Sequence, residues 1–99
     1  MLKPKQKAYL KGLANTLTPI FQIGKDGISE DMIKAILDYL SKHELMKISI
    51  LNNSLVETSE AKEIMELNNI EVCGVIGHIL ILYKKSDKVK NPIKIPMWV

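Results

Sequence analysis

Apolar residues recur along this chain with two different periods, and each change of period marks a new element. Leu10, Leu13, Ala14 and Leu17 follow the i, i+3, i+4, i+7 spacing of an amphipathic helix over residues 5–17. Lys3, Lys7 and Lys11 fall four apart and so share the opposite, solvent-facing side. Pro4 suits the first turn of such a helix, where a missing N–H costs nothing. Pro19 ends it, and "PIFQI" predicts a short strand closed by Gly24. The stretch "SEDMIKAILDYLSK" predicts a second helix, with Ser29 as N-cap and Glu30 and Asp31 in the first turn, where the helix dipole favours anions. Met32, Ile33, Ile36, Leu37 and Leu40 form its apolar stripe.

The period then drops to two. Met46, Ile48 and Ile50 alternate with Lys47 and Ser49, as in a half-buried strand, and Asn52, Asn53 and Ser54 predict a turn. "ETSEAKEIMELNN" predicts a third helix with Ala61, Ile64, Met65 and Leu67 inward and Glu57, Glu60, Glu63 and Glu66 mostly outward. "IEVCGVIGHILILYKK" is too apolar and β-branched for a surface helix and predicts two strands, near 70–76 and 78–84, joined tightly at Gly77. Polarity rises from Ser86, and Pro92 and Pro96 forbid regular structure there. The order α-β-α-β-α-β-β predicts a single α/β domain over residues 1–86, followed by a basic C-terminal tail, 87–99. Strands separated by helices favour parallel pairing, and the final pair adds an antiparallel edge, giving a mixed four-stranded sheet with helices packed on it. The pattern does not assign the helices to one face or to two.

With 99 residues, about a quarter of them charged and 46% hydrophobic, the composition is that of an ordinary globular domain. No apolar run approaches the ~18 residues of a membrane span. The lysine-rich N-terminus lacks the apolar core of a secretory signal, and the single Cys73 suits a reducing compartment, so a cytoplasmic protein without membrane association is expected.

Net charge is only +3, but it is unevenly placed. Residues 1–16 hold Lys3, Lys5, Lys7 and Lys11 and no acid; residues 84–99 hold Lys84, Lys85, Lys88, Lys90 and Lys94 against Asp87 alone. The stretch between them carries twice as many acids as lysines. If the two ends meet, they form the cationic face of a polyanion binder; the same lysines also serve a protein that only needs solvated ends.

One turn carries candidate chemistry. "QIGKDGIS" places Gly24 and Gly27 around Lys25 and Asp26 just before a helix. Glycines at both corners free the backbone and remove side chains that would hold a ligand away from main-chain N–H groups. A loop feeding a helix N-terminus suits a phosphate, and GxxG loops of the KH type clamp single-stranded RNA in this manner. The same tetrapeptide also reads as a plain Asp-Gly turn, and Asp26, Glu30 and Asp31 repel phosphate where Lys25 attracts it.

Three segments together carry a resemblance: "YLKGLANTLTPIFQIGKDGIS", "HELMKISIL" and "VIGHILILYKKS". In this order and spacing the chain resembles the CRM domain, the RNA-binding domain of bacterial YhbY-like proteins and plant organelle splicing factors. The resemblance covers nearly all of residues 3–86. It implies a fold similar to the C-terminal domain of bacterial translation initiation factor three, with a GxxG loop between the first strand and the next helix. It also implies ribosomal RNA, within precursors of the large ribosomal subunit, as partner. Gly24, Lys25 and Gly27 match the family's loop, with Asp26 in its variable slot. Lys11 and Gly12 match a basic-Gly pair, and His43, Glu44 and Leu45 match the segment entering the second strand. Met46 stands where isoleucine is usual, Asn15 where histidine is, and Leu82, Tyr83 and Lys84 replace "LYR". The chain has no arginine, and lysine lacks the fork that reads a guanine edge, which favours recognition of backbone and shape.

The expected RNA-binding residues are therefore Gly24, Lys25, Asp26 and Gly27, with Lys3, Lys7, Lys11, Lys47, Lys84, Lys85 and Lys88 supplying the surrounding field. His43 and His78 with Cys73 are too few and too scattered for a metal site, and no titratable pair is set up for acid–base work. Neither an enzyme nor a cofactor is expected. Cys73 lies in an apolar strand and reads as core. Tyr9 and Tyr83 fit the core edge, His43 reads as an RNA contact or a structural ring, and Trp98 reads as either packed or free. Two rival functions remain: a small basic chromatin-type protein coating duplex DNA, and a protein–protein adaptor using the acidic third helix toward a basic ribosomal protein. A monomer is expected.

Overall fold

The computed structural model describes residues 2–89 and 93–95. Pro92, Pro96 and Trp98, on which part of the tail reading rests, lie outside the described residues. The elements are α1 (Pro4–Leu13), a single 3-10 turn (Ala14–Thr16), β1 (Phe21–Ile23), α2 (Glu30–His43), β2 (Leu45–Ile50), α3 (Thr58–Leu67), β3 (Glu71–Ile76) and β4 (Ile79–Tyr83). The strands form one sheet in the order β1-β2-β4-β3, in which β1 runs parallel to β2 and the other pairs are antiparallel. This is the mixed α/β sheet that the periodicity predicts.

Local chemistry explains the boundaries. The Ser29 hydroxyl accepts the Met32 N–H at 3.1 Å and starts α2, with Glu30 and Asp31 in its first turn and Lys42 and His43 in its last. The helix stops at Glu44, which adopts a left-handed backbone (φ 63°) while its N–H bonds to the Leu40 carbonyl at 2.8 Å. Between β3 and β4 the turn is two residues, and Gly77 at φ +58° takes the positive angle a tight hairpin needs.

The alternation along β2 sorts the core into two layers. Met46, Ile48 and Ile50 join Ile23, Val72, Leu80 and Leu82 beneath Ile36 and Leu40 of α2 and Ala61 and Met65 of α3. Leu45, Cys73, Ile81 and Tyr83 face the other way and meet Leu10 and Ala14 of α1. The helices are thus divided, α1 on one face and α2 and α3 on the other. A bulge between Val72 and Gly74 puts Cys73 and Gly74 together under α1. Gly74 gives α1 room: a Cβ there would lie 3.1 Å from Cδ of Lys11.

Three sequence expectations are corrected. The helix tightens into a 3-10 turn at Ala14, so Leu13 and Leu17 lie 41% and 37% exposed instead of continuing the buried stripe. Leu67, the last residue of α3, points to solvent at 82% exposure. Lys7 and Lys11 lie toward β3, the first half-buried and the second with its stem on Gly74, and so do not occupy the side of α1 opposite the sheet.

Strand register fixes what lies at each end of the sheet. Ile23 is beside Ile50 and Ser49 is beside Ile79, so the turn at 24–27, the residues after β2 and the β3–β4 turn share one end, the turn end. Leu45 and Glu71 both flank Tyr83, which puts the exit of β4 at the opposite end. Six-residue strands separate the two ends by about 20 Å.

Candidate nucleic-acid interface

At the turn end, the Gly27 N–H donates to the Gly24 carbonyl at 3.0 Å, closing a tight turn. Gly27 has φ +71° and is buried, and a Cβ on it would come 3.2 Å from Cγ2 of Val56. Gly24 lies outside the positive-φ region, and its Cβ would sit in ordinary contact, 3.8 Å from Cδ1 of Leu51. The expectation that both glycines leave the main chain bare therefore holds only in part. Gly27 is required by backbone angle, and its N–H is already committed. Lys25 and Asp26 form the exposed tip.

Carboxylates crowd this end. Asp26, Glu30 and Asp31 belong to the turn and the start of α2, and the contact of Gly27 with Val56 brings the start of α3 alongside. There Glu57 and Glu60 form a capping box, with the Glu57 N–H donating to Oε1 of Glu60 at 3.4 Å. Against these five acids stand Lys25 at the tip and Lys34 one turn into α2.

Lys84, Lys85 and Lys88 follow β4 and so lie at the opposite end. The expectation that the turn and both cationic chain ends open on one surface is corrected by this register. The segments near the two chain ends do share one apolar cluster, however. Leu2 from one and Ile93 and Ile95 from the other pack against the α1-side cluster, with Lys3 and Lys94 exposed next to them in sequence. Two of the expected lysines hold backbone: Nζ of Lys47 donates to the Leu17 carbonyl and Nζ of Lys84 to that of Asn69, each at 3.2 Å. Among the described residues the one ion pair is Lys42 with Asp38, at 3.4 Å.

The segment after β4 is fastened as a strap. Glu44 is 1% exposed, and its two carboxylate oxygens accept the N–H groups of Ser86 and Ile93, each at 2.8 Å. The Ser86 hydroxyl donates to the Ser41 carbonyl at 2.6 Å and accepts the Lys88 N–H at 3.1 Å. Sequence reasoning placed Glu44 only as part of a matched segment. Its one local signal is a glutamate where a left-handed helix end usually takes glycine or asparagine.

Burial pushes the Cys73 thiol up to about 12; nearby Glu71 adds to the rise and Lys7 opposes it. Burial also raises Tyr83, with Glu44 adding to the effect. Such a thiol is a core group. His43 stacks on Tyr39 with ring centres 4.2 Å apart, and Phe21 meets Tyr39 edge-on at 6.4 Å. The i, i+4 spacing of Tyr39 and His43 made that pair available to sequence reading. Among the described residues no group of three or more His, Cys, Asp or Glu could hold a metal, and no helix is long and apolar enough to cross a membrane.

The two-sided α/β sheet with a GxxG turn before α2 defines a class. The model of the CRS1 / YhbY (CRM) domain matches residues 2–84, and the chain belongs to that family. It is 38% identical over 97 residues to "Probable RNA-binding protein YqeI" of Bacillus subtilis, covering 97% of this chain and 100% of the relative. It is 32% identical to an "RNA-binding protein" of Haemophilus influenzae over 99 residues, covering 90% of this chain and 91% of that one. The solution structure of the hypothetical protein SAV1595 from Staphylococcus aureus superposes with a TM-score of 0.74 at 41% identity, over 97% of this chain and 100% of that one.

Proposed function

We propose that this protein binds RNA, and that its target is ribosomal RNA in the assembling large subunit. The observation that carries the reading is the meeting of two lysine-rich chain ends on one cluster, in a family whose relatives bear RNA-binding names. Lysines without arginine favour contacts to phosphate and to helical shape over reading of base edges.

Neutralising about five phosphates predicts that log affinity falls with log salt at a slope near −3.5 for single strands. Titration of a ribosomal RNA fragment between low and moderate salt measures it, and a slope near zero overturns the reading. Structured RNA binds more tightly than duplex DNA at equal salt; equal affinities would favour the chromatin-type rival. Crosslinking in cells followed by sequencing tests the ribosomal target. Large-subunit RNA is the expected product, and recovery of mostly messenger or transfer RNA removes the ribosome from the proposal.

A further inference from the structure

We propose that RNA phosphates are held at the strap end, in the cleft between α2 and the C-terminal strap, and that Glu44 is the positioning residue that builds this cleft. This rests on the RNA-binding reading above and adds where the backbone of the RNA lies.

The cleft has a volume of about 400 Å³. Ser41 of α2 lines one side and Lys84, Lys85, Ser86 and Lys88 the other, with Asp87 the single acid. Lys85 and Lys88 are exposed, and neither forms an ion pair among the described residues. Lys84 is turned to the Asn69 carbonyl and contributes field more than contact. Three lysines against one acid in the lining draw a phosphate chain to this cleft.

Glu44 explains how these cations come to stand together before any ligand arrives. A buried carboxylate without partners is costly, and this one is satisfied by the N–H groups of Ser86 and Ile93, with no cation in contact. Those two bonds anchor the chain on both sides of Lys88. A strap ordered in advance loses less conformational freedom when it binds. The ligand is a phosphodiester chain and not a single nucleotide, because Lys94, exposed beside the Glu44-bound Ile93, adds a cation beyond the cleft.

The test compares K85Q/K88Q, K25Q and E44Q with the wild type on the same ribosomal RNA fragment, by anisotropy across a salt series. K85Q/K88Q should weaken binding by about tenfold at moderate salt and make the slope shallower by about 1.4, the loss of two phosphate contacts on a single strand. K25Q reports on the turn end separately, and the loss and the slope change caused by K85Q/K88Q should be the same in the K25Q background. E44Q should lower amide-exchange protection at Ser86 and Ile93 and weaken RNA binding several-fold, with α2 and the sheet still protected. If E44Q does not fold, S86P removes one donor from the strap side and carries the same expectation.

Wild-type protein that binds no RNA overturns the functional reading and this proposal with it. Wild-type binding that survives K85Q/K88Q unchanged, or depends mainly on Lys25, overturns the strap site alone. E44Q or S86P that frees the strap yet binds RNA as tightly as wild type removes Glu44 from its role.

Discussion

At Gly27 the backbone holds φ +71° and a Cβ would press on Val56 at 3.2 Å. Alanine there must adopt a left-handed conformation and displace a packed methyl. G27A should cost about 1–3 kcal/mol in urea unfolding. G24A, in ordinary contact and without a positive φ, should stay within about 0.5 kcal/mol. In the sequence the two glycines look equivalent, because backbone angle is a property of the folded turn and leaves no mark on composition. Glu44 was hidden for a related reason. Its burial depends on Ser86 and Ile93, more than 40 residues away, and no local period reports such a partner.

Cys73 was legible as core, and its burial has a consequence at high pH. The folded thiol sits at about 12 against 9.0 for a free one, so the folded state binds the proton more tightly. That contribution to stability is complete below about pH 9 and is lost as pH rises toward 12. Tyr83, also raised by burial, acts with the same sign. The melting temperature should therefore fall between pH 8 and 10.5, and fall less in C73A, whose baseline stability is lower. Equal pH profiles for the two proteins would contradict the assignment.

On the scale of elements, α1 depends on few anchors. It is alone on its face, with Leu10 and Ala14 as its buried anchors. L10A should cost about 2–5 kcal/mol, a large part of the ~5–15 kcal/mol expected of a domain this size. L13A, at a position 41% exposed, should cost under about 1 kcal/mol. Denaturant midpoints for the two variants measure the difference. Periodicity located α1, but it extended the apolar stripe to Leu17 because spacing does not register a switch from α to 3-10 winding. The β3–β4 hairpin was more legible, since Gly77 punctuates two β-branched runs. The bulge at Cys73 was not, since it depends on pairing with β4.

For the whole molecule, the order of elements was enough to predict a mixed sheet, yet it left open which loops share an end. That depends on register, and register placed the turn at 24–27 and Lys84, Lys85 and Lys88 about 20 Å apart. Convergence of the two terminal segments was legible only as a possibility of charge; Leu2, Ile93 and Ile95 bring them onto one apolar cluster.

The division of charge between the two ends has an effect that precedes any contact. If the lysines after β4 take the phosphates, as proposed, the carboxylates around the turn at 24–27 give the molecule a torque in the field of a polyanion. On that proposal it rotates while still diffusing and arrives strap first, so fewer collisions are wasted on the wrong orientation.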